Sequence, residues 1–415
     1  MTTLRMAWRN LGRNRRRSIL ALGAIALAQT TLVLVNGFMA GSYDQMLDTI
    51  TGPMVGHVQI HHPLWRTERA VEQTIDRLGM VRARLSELPG VESVAPRIYA
   101  AVLAASGEER DRPADADAAV IVGVDPTVES GRGGLLASLS NDSLPRSDTV
   151  VIGRILANRL RVKAGGQLAL IGQDVDGFPA ADLFHVGAVM ESTVDLVQTR
   201  GVVMSMERAA EFLAMPDRAH EIVIRGSRVE NAEDLARAVA SLPAMAGLDV
   251  LSWREAAPEF ARMIDMKAWV DLIFLAVVFV AAAAGIANTA MMSTFERTRE
   301  FGMLLAIGAR PARVVHLVLA ESVLLGLIGV ALGSLAGTGL VMLTAHTGID
   351  YAALAGVEAS DVAFAGVSIS YIIYPRLELQ HIVSGLIAVT LTSALAATWP
   401  AILAARLEPA KAMRP

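Results

Sequence analysis

Four stretches of the chain are apolar for long enough to cross a bilayer, and polar segments punctuate them. Residues 18–40, 267–294, 314–345 and 381–405 each hold the roughly 20 apolar residues that span a hydrocarbon core. Between the first two lies a long stretch, 41–266, in which the period changes repeatedly between that of strands and that of helices. Alternating or β-branched runs predict strands at 56–61, 93–105, 118–124, 167–172, 184–190, 202–204 and 221–225. Helical spacing predicts helices at 68–88, 154–160, 206–214 and 231–242. The interleaving predicts a mixed, α+β domain, and the loops 106–118 and 131–148 are the candidate boundaries between subdomains. The first span is expected to continue as a helix through 43–54 and to stop near Gly52-Pro53. Trp253, Ala257, Phe260, Ile264 and Ala268 recur every three to four residues, so a single rod is expected to run from 253 into the second span.

The predicted architecture is therefore an integral membrane protein with four transmembrane helices. A large extracytoplasmic α+β domain is inserted between the first and second helix. The segments read as an N-terminal amphipathic piece (1–17), a first span (18–40), the outer domain with helical stalks (41–266) and a second span (267–294). A short charged turn (295–313), a third span (314–345), a second outer loop (346–380), a fourth span (381–405) and a tail (406–415) follow. Leu4, Ala7, Trp8 and Leu11 recur at helical spacing among arginines, which suits a helix in the headgroup layer or a plain basic orientation signal. In the third span Gly326, Gly329, Gly333 and Gly337 permit close helix packing, with Gly329 and Gly333 in GxxxG spacing.

The net charge of −4 over 415 residues conceals a segregation. The segments 1–17, 294–313 and 406–415 hold thirteen basic residues against three acidic, whereas 41–266 holds 22 basic against 32 acidic. Short arginine-rich loops stay in the cytoplasm and long domains cross regardless of charge. Both termini and the 295–313 turn are thus expected inside, with 41–266 outside, in the periplasm of a cell with an inner membrane. The chain has no cysteine, which removes disulfides, thiolate metal sites and cysteine nucleophiles from consideration.

Candidate chemistry is sparse. There is no GxxxxGK[ST] stretch to cradle nucleotide phosphates, and Gly131-Arg132-Gly133-Gly134 reads as a loop. His57 and His61 would share one strand face while His62 points away, a poor metal site. An enzymatic activity, a metal and a nucleic-acid partner are not expected of this chain. Among polar residues inside the spans, Asn36, Asn288, His316 and Glu321 stand out. Glu321 has three open fates: facing a partner helix, snorkelling inward, or pairing with His316. In the charged turn, Glu296, Arg297, Arg299 and Glu300 begin a short helix, Phe301, Leu304 and Leu305 give it an apolar side, and Gly308 with Pro311 ends it. Such a helix suits docking into a groove on another protein, or lying on the membrane surface.

The segment ERTREFGMLLAIGA, with Glu321 in the following span, resembles the cytoplasmic coupling region of FtsX-like ABC permeases, as does the ending PAILAARLEPAKAMRP. The opening AWRNLGRNRRRS, the sequence Asn36-Gly37-Phe38 and the run GHVQI resemble the lipoprotein-releasing branch, and VVIGRILANRLRVKAGGQLALIG is similar to the shared outer-domain stretch. The resemblance implies a dimer, formed with a second copy or a homologous permease, bound to two copies of a separate ABC ATPase that carries ATP and Mg. It implies that Glu296, Arg297, Arg299, Glu300, Gly302, Leu305 and Gly308 couple to that ATPase, and that movement passes mechanically to the outer domain. For the leading reading, release of lipoproteins or other amphipathic cargo, a cavity lined by Asn36, Phe38, Met39, Met46, Ile264 and Ile273 would hold acyl chains beside membrane lipid. A periplasmic carrier or adaptor would then complete the pathway. Drug or peptide export, and non-transporting regulation of a cell-wall hydrolase, stay open beside it.

Overall fold

The computed structural model describes residues 15–106, 115–350 and 372–407, with isolated positions 6, 7, 9, 353, 363, 364, 367 and 368. The N-terminal headgroup helix, the tip of the 106–118 loop, the middle of the 346–380 loop and the C-terminal motif from 408 lie largely outside the described residues. In chain order, α1 (Arg15–Thr49) runs into a π-helical turn (Ile50–Met54). Then come β1 (Val58–His61), α2 (Trp65–Glu68), β2 (Ile75–Asp76), α3 (Leu78–Ser86), β3 (Val91–Ser106) and β4 (Ala116–Val124). Next are α4 (Pro126–Glu129), β5 (Thr149–Gly153), α5 (Arg154–Leu160), β6 (Gln167–Gln173) and β7 (Pro179–Met190). They are followed by α6 (Asp195–Arg200), β8 (Gly201–Ser205), α7 (Met206–Phe212), β9 (Arg218–Ala219) and β10 (Glu221–Gly226). The remainder includes α8 (Ala232–Ala240), β11 (Asp249–Ser252), α9 (Trp253–Ala256), α10 (Pro258–Glu296), α11 (Thr298–Ala306), α12 (Pro311–Thr347) and α13 (Leu379–Ala405), with short two-residue strands between the last two helices.

Two compact units result: residues 1–43, 265–355 and 372–415, and residues 44–264 with 356–371. Among the described residues four helices are long and apolar enough to cross a membrane, and the first unit holds most of each. Their shared core joins Ala21 and Ile25 of α1, Ala282 and Ile286 of α10, Leu325 and Val330 of α12, and Val389 of α13. The glycine stripe of α12 is what lets the helices approach. A Cβ on Gly329 would meet Ile25, one on Gly333 the Ala26 carbonyl, one on Gly337 Val33, and one on Gly326 Ser393. Thr30 Oγ1 donates to the Gly333 carbonyl at 3.1 Å and Gln29 Nε2 to Ser334 Oγ at 3.1 Å. These cross-helix hydrogen bonds replace the hydrophobic drive that lipid cannot supply.

The second unit is built on one nine-stranded sheet in the order β11-β1-β10-β3-β4-β8-β5-β7-β6. The 16-residue β3 is long enough to pair twice: its first half with β10 and its second with β4 on one side and β6 on the other. That second pairing closes β3, β4, β8, β5, β7 and β6 on themselves. All pairs are antiparallel except β4 with β8 and β5 with β7. The inward residues, including Ile98, Ile121, Ile152, Leu170, Phe184 and Met204, form the largest core with Leu156 and Phe212 of the adjoining helices. Central strands β5 and β8 are buried on both faces, so they read as unbroken apolar runs rather than alternating ones.

Several expectations are corrected here. Residues 68–88 are not one helix: Arg69 and Arg77 adopt left-handed backbone (φ 53° and 54°), and the piece between them pairs as β2 with β9. The loops 106–118 and 131–148 are not subdomain boundaries. The first joins β3 to β4, which pair through Ala105 and Ala116; the second buries Leu135 and Leu136 against the sheet. Nor does one rod start at 253. The helix breaks at Ala257 (φ −129°, ψ 66°) because the following Pro258 disfavours helical backbone before it. The apolar positions are nevertheless buried as their spacing requires: Trp253, Ala257 and Phe260 pack with Ile50 and Val55 beyond the end of α1.

Candidate functional site

Helix α11 is fenced by chain chemistry at both ends. Helix α10 stops at Glu296, and Arg297 (φ −107°, ψ 14°) makes the corner from which α11 starts. At the other end Gly308 takes φ 90°, and Gly308 N–H donates to the Leu305 carbonyl while Ala309 N–H donates to that of Leu304, both at 3.0 Å. This paired pattern is the Schellman stop, which uses glycine because a left-handed residue must follow the cap. Pro311 then opens α12, where its missing N–H is not needed.

The turn is fastened to the spans by two kinds of contact. Phe301 is buried against Val314, Leu317 and Val318 of α12 and Ala401 and Ala404 of α13. Arg297 is the electrostatic centre: its Nη1 donates to both oxygens of Glu321 at 2.9 Å each, its Nε donates to Glu300 Oε2 at 2.9 Å, and its guanidinium lies 4.9 Å from the Phe301 ring centre. Both side chains are only 12–13% exposed. An acid inside an apolar helix must be compensated, and here the partner is Arg297 rather than His316, which is exposed. Spacing along the helix could not show this pair, because the two residues meet across a tight turn.

The residues expected to couple to an ATPase therefore divide. Arg297, Glu300, Gly302 and Leu305 face inward or lie half-buried, Glu296 ends α10 instead of starting α11, and Arg299 and Gly308 are exposed. The outward surface is carried by Met303, Leu304 and Ile307, 50%, 39% and 86% exposed; of these the expected apolar side includes Leu304 alone. Arg299, Arg310 and Arg313 are exposed around them. The residues proposed to line an acyl cavity fall in different settings. Asn36 is buried, Phe38 and Met39 are half-buried, Ile273 is 62% exposed, and Met46 and Ile264 pack against the cluster around Trp253. His57, read as a poor metal ligand, uses its Nδ1 to accept the Gly226 N–H at 3.1 Å.

Comparison with known proteins bears on this arrangement. The FtsX-like permease C-terminal family matches residues 272–409, and the MacB-like periplasmic core domain matches residues 18–244, more than half of the chain. The chain belongs to the FtsX-like ABC permease family. It is 24% identical over 408 residues to the lipoprotein-releasing system transmembrane protein LolC of Xylella fastidiosa, covering 95% of this chain and 92% of that one. To the macrolide export ATP-binding/permease protein MacB of Burkholderia lata it is 26% identical over 350 residues, covering 81% of this chain and 49% of that protein. To the ABC transporter permease YtrF of Bacillus subtilis it is 30% identical over 133 residues, covering 32% of this chain and 30% of that one. The permease thus spans less than half of the MacB and YtrF relatives and nearly all of LolC. It is embedded in a membrane through its apolar helices and carries a periplasmic domain of the MacB-like core type.

Proposed function

We propose that this permease is the membrane subunit of a transporter driven by ATP hydrolysis in a separate ABC ATPase chain, two copies of which serve a permease dimer. The supporting observation is α11: an apolar ridge of Met303, Leu304 and Ile307 faces outward on a helix whose other side is held to two spans by Phe301 and Arg297. A ridge on a loose loop would yield when pushed, whereas this one passes a push to α12 and α13. In this reading both termini and α11 are cytoplasmic, the membrane is the inner membrane, and movement reaches the periplasmic domain through α1 and α10. ATP and Mg are bound by the partner, and this chain supplies no catalytic residue.

The cargo we assign is a lipoprotein or a similar amphipathic molecule released from the membrane to a periplasmic carrier. Support comes from the end-to-end alignment with a lipoprotein-releasing protein of nearly the same length. Export of a macrolide-like compound through an adaptor is the second reading, favoured by the alignment with MacB over 81% of the chain. The test replaces Ile307 by Asp. The co-purified ATPase is expected to fall at least tenfold, about 1.4 kcal/mol of binding, with the permease still in the membrane. Undiminished ATPase would overturn the docking role. Proteoliposomes loaded with an acylated lipoprotein or a macrolide then separate the two cargoes by which one raises ATP hydrolysis.

A further inference from the structure

Where α1 ends, the second unit holds a buried charge cluster that no transport step has used. Glu129 closes α4, which Asp125 caps by accepting the Thr127 N–H at 3.0 Å, and its side chain is fully buried. Its Oε1 accepts from Arg97 Nε at 2.8 Å, with Arg97 Nη2 2.7 Å away as a charge contact. Its Oε2 accepts from Arg225 Nη2 at 2.5 Å and from the Leu135 N–H at 2.8 Å. The glycine loop 131–134 makes the last bond possible: Gly133 has φ 71°, and a Cβ on Gly134 would strike the Glu129 backbone. Glu221 lies 3.9 Å from Arg97 and balances the second positive charge.

The guanidinium groups have a second duty. Arg225 Nε donates to the Gly52 carbonyl at 3.0 Å and Arg97 Nη1 to the Met54 carbonyl at 2.9 Å. Both carbonyls belong to the π-helical turn that ends the first helix, where backbone acceptors lack partners in the helix and the dipole favours positive charge. Burial alone would raise the Glu129 carboxyl; the two guanidinium groups overcome that and hold it below its usual value.

We propose that Glu129 is a positioning residue: through Arg97 and Arg225 it forms a stiff joint that holds the 50–54 turn, and with it the last turn of α1, against the sheet of the second unit. Buried ion clusters seldom add net stability over apolar residues of the same volume, but their bonds are directional. One carboxylate aims two arginines at two carbonyls of one turn, so rotation of the turn would break several bonds together. The joint lies wholly within the second unit and does not depend on the transport reading.

The absence of cysteine permits a direct test in the full-length permease in nanodiscs. Spin labels at Asp48→Cys on the last turn of α1 and Ala83→Cys on α3 report across the joint, and labels at Ala83→Cys and Asn158→Cys on α5 report the domain alone; all three sites are exposed. In Glu129→Gln the 48–83 distance distribution is expected to broaden about twofold once the guanidinium groups lose the carboxylate that aims them, with 83–158 unchanged. The apolar variant Arg97→Met/Glu129→Leu/Arg225→Met, which keeps volume without direction, is expected to do the same. An unchanged 48–83 distribution in either variant overturns the joint, and so does equal broadening of both pairs, which would make the cluster a general stability element. None of these readouts involves ATP or cargo, so failure here is distinct from failure of the docking role.

Discussion

Arg297 and His220 show how single side chains set conditions for their surroundings. Removing Glu321 leaves Arg297 with Glu300 as its remaining carboxylate partner among the described residues, in a setting where the Arg297 and Glu321 side chains are 12–13% exposed. Glu321→Ala should therefore cost about 2 kcal/mol in thermal unfolding of the detergent-solubilised permease, and the double variant Arg297→Gln/Glu321→Gln should cost less than the sum of its singles. Additive losses would show that the pair does not interact. His220 has the opposite character. Its Nδ1 accepts the Tyr99 N–H at 2.9 Å, so its Nε2 carries the proton given to the Val71 carbonyl at 3.0 Å, and the ring stacks on Trp65 at 4.4 Å. Burial depresses its pKa from 6.5 to about 4. The unfolded chain then binds the extra proton between those values. The stabilisation is complete above pH 6.5, drains away as pH falls toward 4, and is flat below, a loss of about 3 kcal/mol. Hydrogen exchange at the Tyr99 amide, corrected for intrinsic rates, should lose protection through that window. Constant protection would refute the assignment.

Among the elements, α12 makes the sharpest case, because its glycines differ in what they face. A Cβ on Gly333 would meet backbone of α1, whereas one on Gly339 meets nothing within 4 Å. Gly333→Ala is expected to lower unfolding stability by about 2 kcal/mol, while Gly339→Ala is neutral or stabilises by up to about 1 kcal/mol. Equal effects would mean that the stripe merely reduces bulk. The stripe was visible in the sequence because small-residue spacing is a local pattern, as were α5, β10 and the stop at Gly308. What escaped depended on distant partners. Strand β5 gives no alternation because both its faces are buried, and the 68–88 helix pattern lost to pairing between β2 and β9. Likewise, the 131–148 segment looks like a linker until Leu135 and Leu136 find the sheet. In the candidate site, helix α11 and its residue types were legible, whereas the Arg297–Glu321 pair and the joint at Glu129 were not, since both are made by residues far apart in the chain.

For the whole molecule, the decisive quantity is which side of the membrane each charged segment occupies. Thirteen basic residues against three acidic lie in 1–17, 294–313 and 406–415, and 41–266 has an excess of ten acids. Lysine and arginine in short loops resist translocation, whereas a large domain crosses irrespective of its charge. The proposed function stands or falls with that orientation, since ATP is hydrolysed in the cytoplasm and the ridge at Ile307 must meet the ATPase there. With no cysteine in the natural chain, Ala83→Cys in the α+β domain and Arg310→Cys beside α11 each give one thiol at an exposed position. In spheroplasts, a membrane-impermeant maleimide should label Ala83→Cys at once and Arg310→Cys only after the membrane is permeabilised. The reverse pattern would place α11 outside, where no ATPase could reach it. It would also turn the apolar ridge into a surface for an external partner.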